Sequence, residues 1–253
     1  MQTSLPTATR RLFTWARSHW VFLGVAVPLA ALCLWAYWPT LGRVAHKWVT
    51  DPQYSHGYLV PAFSLVLLWR RSPLLARASF QFSWWGVLPL AVGGLMRVAA
   101  AYLYLDWLDA VSLLPCVAGL FVLLGGWTAL KWSWPAVAFL VFMIPLPHRV
   151  ETALALPLQH LATLASTYAL QTIGLPALAE GNTIHMTRAQ IGVVEACSGL
   201  SMLLVFFAIS TGMAILIKRP LLDKALIFVS AIPVALLANI TRITVTGLLF
   251  EWV

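Results

Sequence analysis

The chain has 253 residues, 61% of them hydrophobic and 9% charged, and a formal net charge of +8; its mean hydropathy is +0.86. Soluble domains hold roughly 45–50% apolar residues, so this composition excludes a soluble enzyme and describes an integral membrane protein. Basic loops lying against anionic lipid account for most of the positive excess, which leaves nucleic-acid binding without support.

In chain order, residues 1–19 are polar and basic and read as a cytoplasmic N-terminus. The stretch "WVFLGVAVPLAALCLWAYW" (20–38), edged by Trp20 and Trp38, is as long as a bilayer crossing. It reads as a signal anchor, because a cleavable signal has an apolar core of only about 7–15 residues. "VAHKWVTDPQYSHGYLVP" follows and is expected to form the first outer loop, with Gly57 and Pro61 turning the chain into the next span. Further spans are expected near 58–69, 86–105, 107–124, 132–146, 193–217 and 225–250. In "TALALPLQHLATLASTYALQTI" (152–173), Gln159, Thr163, Ser166 and Thr167 share one helical face with leucines opposite, as in an amphipathic helix lying in the membrane interface. The expected fold is all-α: a polytopic transmembrane bundle of about seven spans plus that interfacial helix, with 20–253 forming a single membrane domain.

Positive charge sets the expected orientation, since cytoplasmic loops collect Lys and Arg. With the N-terminus inside and 152–173 not crossing, Arg10, Arg11, Arg17, Arg70, Arg71, Arg77, Lys131, Lys218, Arg219 and Lys224 fall inside. Only Arg43, Lys47, Arg149 and Arg188 then fall outside, whereas letting 152–173 cross would nearly equalise the two sides.

Of the three cysteines, Cys33 and Cys116 lie mid-run, where a thiol packs as a small hydrophobe. Three cysteines make no disulfide framework. No His and Cys spacing resembles a zinc site, and no metal or other cofactor is expected. Cys197 is different. In "VVEACSGLSM" (193–202) it begins a span near the expected outer surface, where a helix N-terminus favours a thiolate. Glu195 works against that unless it faces elsewhere or is paired. Cys197 and Ser201, four apart, share a helical face. The same residues also read as a small-residue strip that lets another helix approach closely.

In the last span, "SAIPVALLANITRITVTGLLF", Asn239, Arg242 and Thr246 share a face. An arginine at membrane depth costs roughly 2.5–3.5 kcal/mol on insertion scales and so faces a cavity or a partner. Arg242 and Cys197 are expected at similar depth. Arg97, the other arginine inside a span, is expected to pair with Asp106 or Asp109 or to line the same cavity. Five of six histidines (His46, His56, His148, His160, His185) fall in segments read as outer, which supplies candidates for proton transfer near a thiol.

Five stretches in order, "WVTDPQYSHGYLVP", "IPLPHRVETALALPLQ", "EGNTIHM", "VVEACSGLSML" and "AIPVALLANITRI", resemble the exosortases, of the exosortase and archaeosortase group of membrane cysteine transpeptidases. The resemblance runs from about 48 to 243. It implies Cys197 as nucleophile and Arg242 as its catalytic partner; Glu195, Ser198, Ser201 and Asn239 are expected around the substrate, and His56, outer-facing and within a matching stretch, is the stand-in expected as proton donor. It further implies, as substrates and partners, exported proteins ending in a sorting tail of a Pro-Glu-Pro type motif, a transmembrane helix and a basic end. The tail would be cut at the outer face of a bacterial inner membrane. Ser201 stands where the family usually has Arg, and the family's downstream catalytic His has no counterpart before Val253, so a shortened chain is the expectation. The alternative reading is a non-catalytic transporter or assembly subunit that binds an anionic group through Arg242.

Overall fold

A computed structural model describes residues 7–76, 81–187, 190–193 and 199–252; the side chains of 7–23, 75–76 and 252 are not described. By its contacts the chain divides into two compact units, Met1–Arg43 with Leu68–Val137, and Val44–Leu67 with Ala138–Val253.

Helix α1 (Thr7–Thr50) runs on through the beginning of the expected outer loop. Inside the first unit, Thr40 and Arg43, one turn apart on α1, both bind the Asp109 carboxylate, at 2.6 and 2.5 Å. Those bonds give the helix a reason to continue past Pro39. The short helices α2 (Leu59–Arg70) and α3 (Ser72–Ala76) follow. Helix α4 (Val87–Leu103) ends at Tyr104, whose left-handed φ of 54° returns its N–H to Ala100. A Cβ on Gly93 of α4 would stand 2.4 Å from the Cys116 sulfur, so glycine is what allows that close approach. Cys116 is buried and free.

Beyond α5 (Asp106–Val111), the helical stretch α6 (Leu113–Phe139) is two helices joined at Gly126, whose φ of 66° and ψ of −164° are not helical, and these overlap the two expected spans 107–124 and 132–146. The rings of Phe121 and Trp132 lie 5.8 Å apart, whereas eleven residues of straight helix would separate them by about 16 Å. The chain therefore bends sharply at Gly126, in a backbone conformation that favours glycine.

The second unit holds α7 (His148–Thr172), three strands, α8 (Leu200–Leu216) and α9 (Leu221–Trp252). The polar stripe of α7 is buried: Gln159, Thr163, Ser166 and Thr167 face the protein, while Leu154, Leu156, Leu161 and Leu164 are exposed. The amphipathic pattern is real, but its polar side serves internal hydrogen bonds rather than water. Gln159 donates to the Val193 carbonyl, and Ser166 reaches the Ile240 carbonyl at 3.4 Å.

The small sheet is an addition to the all-α expectation. Strands β1 (Ala177–Glu180), β2 (Thr183–Met186) and β3 (Gln190–Gly192) form an antiparallel sheet in the order β1-β2-β3. Glu180 pairs with Thr183 across the two-residue turn Gly181-Asn182, where Gly181 takes φ 59°. Gly-Asn between short alternating runs is a hairpin signal. Ile184, Val193, Leu170 and Ile243 form a buried cluster that ties sheet, α7 and α9 together.

Among the described residues four helical stretches are long and apolar enough to cross a membrane: Gly24–Thr50, Trp84–Leu103, Asp106–Met143 and Leu221–Glu251. Leu200–Leu216 is a shorter apolar helix. The number is below the expected seven because the stretch Asp106–Met143, with the turn at Gly126 inside it, covers two expected spans, and 59–70 and 200–216 are each under 18 residues.

Candidate functional site

Helix α9 carries the polar face that the sequence suggests. Asn239 is fully buried, and its Oδ1 accepts a hydrogen bond of 2.9 Å from Arg242 Nη2 one turn on. The Thr246 hydroxyl returns to the Arg242 carbonyl at 2.8 Å, which satisfies it within its own helix. A buried amide thus fixes one arm of the guanidinium, the arrangement an arginine inside an apolar helix requires.

Opposite α9, helix α8 starts at Leu200 behind Gly199, whose φ of 88° is left-handed. The first turn closes through Leu203 N–H on the Gly199 carbonyl at 2.9 Å. Between these elements and the sheet lies a cavity of about 200 Å³ lined by Arg242, Ser201, Gly192, Val193 and Thr246, with Pro52 at its side. Gln159, from the buried stripe of α7, holds the Val193 carbonyl at the end of β3. Val193 and Ser201 thus line one cavity from either side of 194–198. Glu195, Cys197 and Ser198 lie outside the described residues.

Of the other expected site residues, Asn239, Arg242 and Ser201 are brought together. His56 opens elsewhere. It sits in the 3-10 helix Pro52–Tyr58, which Asp51 caps by accepting from Gln53 N–H at 3.0 Å. It lines a second cavity, of about 270 Å³, whose walls are otherwise apolar: Leu59, Phe63 and Phe139 with Val205 and Met213 of α8. Its Nδ1 is buried without a hydrogen-bond partner of good geometry. Burial pulls the His56 pKa below the usual 6.5, with the carbonyls of Phe142 and Gln53 opposing the shift. Such a histidine is mostly neutral at pH 7, and its burial opposes the uptake of a proton.

Two of the sequence stretches singled out above meet around that 3-10 helix. Trp48 Nε1 donates to the Met143 carbonyl at 3.0 Å, the Leu146 N–H donates to the Tyr54 hydroxyl at 3.2 Å, and Gln53 donates to Glu151 at 2.8 Å. Burial and the Glu151 carboxylate push Tyr54 up to about 12, so it stays a neutral hydroxyl. A Cβ on Gly57 would sit 2.2 Å from Trp48, which makes glycine the only residue that fits there. Sequence reasoning assigned no role to Gln53, Tyr54 or Glu151 as a set; the signal was their dense polarity beside an apolar span.

Arg97 belongs to a separate arrangement in the first unit. Its Nε is 3.8 Å from Asp109, its guanidinium stacks 4.2 Å over Tyr37, and it donates to the Ala36 carbonyl. Arg43 bridges Asp106 and Asp109 at 3.0 and 2.5 Å. The expected pairing with Asp109 is present, in a cavity distinct from that of Arg242. Among the described residues no three His, Cys, Asp or Glu side chains are grouped to hold a metal.

No curated protein and no solved structure matches the chain. The transmembrane exosortase family model matches residues 48–253, which include the Arg242 cavity, its flanking strand and the 3-10 helix, and the chain belongs to that family.

Proposed function

We propose that the protein is a membrane-embedded cysteine transpeptidase that cleaves C-terminal sorting tails of exported proteins at the outer face of the bacterial inner membrane. Membership of the transmembrane exosortase family supports a transpeptidase-like function in general. The observation that carries the residue assignment is Arg242, held by buried Asn239 in a cavity whose walls include the residues on both sides of the Cys197 segment.

In the proposed reaction the Cys197 thiolate attacks a tail carbonyl carbon, and the carbonyl electron pair moves onto oxygen. Arg242 stabilises that oxyanion. As the C–N bond breaks, the amine takes up a proton and leaves, and a thioester remains on Cys197. An acceptor nucleophile then displaces the sulfur and regenerates the thiolate. Glu195, Ser198 and Ser201 are the substrate-binding residues of this reading, and buried Asn239 acts on the substrate through Arg242. A low dielectric strengthens the attraction between thiolate and guanidinium. His56, which lines the other cavity and is disfavoured in its protonated form, is the candidate to be tested as the source of the proton passed to the amine.

A secreted reporter ending in a Pro-Glu-Pro motif, a transmembrane helix and a basic end, co-expressed with the protein, tests this. Cys197→Ala should abolish processing with membrane insertion intact, and continued cleavage would exclude this nucleophile. His56→Gln decides the proton donor: unchanged turnover assigns that step to another group. An outside-applied thiol probe should label Cys197 faster than a free thiol and slow when Arg242 is removed. A transporter or assembly subunit would show neither effect.

A further inference from the structure

Strand β3 is an edge strand, paired on one side with β2 through Thr183↔Gly192, Ile184↔Ile191 and His185↔Gln190. The Val193 N–H continues this register by donating to the Asn182 carbonyl at 2.8 Å. In an antiparallel ladder, opposed residues alternate between exchanging both backbone bonds and exchanging none. With Val193 and Asn182 as a bonded pair, Ile191 also turns its N–H and C=O toward β2. Gly192 and Gln190 therefore turn theirs to the outer edge, where nothing among the described residues pairs with them.

That outer edge borders the proposed reaction site. Gly192 lines the Arg242 cavity, is exposed, and has no atom within 4 Å of the place a Cβ would occupy. Sheet edges are ordinarily blunted by Lys, Pro or a covering segment; among the described residues nothing covers the outer edge of β3, which ends in an exposed glycine at the cavity.

We propose that the free edge of β3 is the docking strand for the peptide substrate. An extended stretch of the exported chain, next to the bond to be cut, pairs with the backbones of Gly192 and Gln190 as a fourth strand. This delivers the adjoining carbonyl to the cavity of Arg242. The inference rests on the peptide-transfer reading above and adds how the substrate is held. A peptide is the ligand the edge fits, because its donors and acceptors recur every second residue, about 6.8 Å apart, the repeat of an extended main chain. Backbone pairing of this kind grips many sequences and orients the scissile carbonyl.

The test uses full-length protein in lipid nanodiscs, in the Cys197→Ala background so that binding is read without turnover. The probe is a fluorescent peptide of the Pro-Glu-Pro motif with its flanking residues, followed by anisotropy. Gly192→Pro removes one outward N–H and no ladder bond to β2; it should weaken binding about tenfold, the worth of one backbone hydrogen bond. Gly192→Ala keeps the N–H and should bind more tightly than the proline variant. Equal binding by the proline variant, or equal weakening by alanine and proline, overturns the proposal. So does a peptide that does not bind. A second measurement leaves the protein untouched: N-methylation along the peptide should weaken binding at every other residue. A flat response, or loss at every position, overturns the pairing even if the reporter is cleaved. Alternating loss together with continued processing by Cys197→Ala would sink the thiol mechanism and leave the docking strand standing.

Discussion

Gly199 lies directly against Asn239: a Cβ added to Gly199 would stand 3.1 Å from Asn239 Nδ2, and Asn239 in turn binds Arg242 at 2.9 Å. The glycine at the start of α8 therefore determines where the guanidinium on α9 is held. Its φ of 88° adds a conformational requirement to the steric one. Gly199→Ala should lower stability by about 1–2 kcal/mol, the cost of a left-handed alanine. It should also depress reporter cleavage, because Asn239 is displaced. Thermal melting in detergent and reporter processing read the two effects, and an alanine variant matching the parent in both would refute the coupling.

Arg242→Lys preserves the charge and loses the planar fork that Asn239 engages. Processing should fall by roughly a hundredfold, the scale of losing one oxyanion donor, while melting changes little. Asn239→Ala should produce a smaller loss together with slower thiol labelling of Cys197. A lysine variant with parental turnover would reduce Arg242 to a bulk charge.

The Asp109 cluster predicts a contrast within one pair of carboxylates. Asp109 is bound by Thr40 and Arg43 and approached by Arg97, and its side chain is 13% exposed; Asp106 is 81% exposed. Asp109→Ala should destabilise by about 2–3 kcal/mol, below the full cost of breaking a buried pair because Arg43 remains half in solvent. Asp106→Asn should cost under about 1 kcal/mol. Melting temperatures of the two variants check the order.

His56 predicts a pH dependence of stability. Its folded pKa lies below 6.5 because burial disfavours the imidazolium, so below pH 6.5 the unfolded chain binds a proton that the folded chain resists. Stability is fullest above that value and declines as pH falls toward the folded pKa. His56→Gln should flatten the melting temperature between pH 7.5 and 5 relative to the parent. A parent curve with no slope there, or one unchanged by the substitution, would show that the ring titrates normally.

Much of this molecule was legible from local chemistry. Long apolar runs fix membrane residence because backbone groups in lipid must be satisfied within a helix. A guanidinium in such a run calls for a partner, which directed attention to Asn239 and Arg242 at a spacing of three and to Arg97 with Asp109. Periodicity also gave the two faces of α7, and here its limit was plain: a stripe of Gln159, Thr163, Ser166 and Thr167 looks the same whether it meets water or a carbonyl of another segment.

Other features needed the tertiary structure, since they depend on contacts between residues far apart in sequence. Hydropathy could not reveal how tightly the 107–124 and 132–146 runs fold back on each other at Gly126, nor that Asp109 binds Thr40 and Arg43 of α1. The β3 edge beside Arg242 arises from a three-residue strand, too short to carry a period of its own. His56 shares a motif with Pro52, yet the fold turns the histidine to an apolar cavity and the proline to that of Arg242. Sequence determined the solvent and the candidate chemistry, because both depend on side-chain type and spacing along one segment; the tertiary structure decided which candidates share a space.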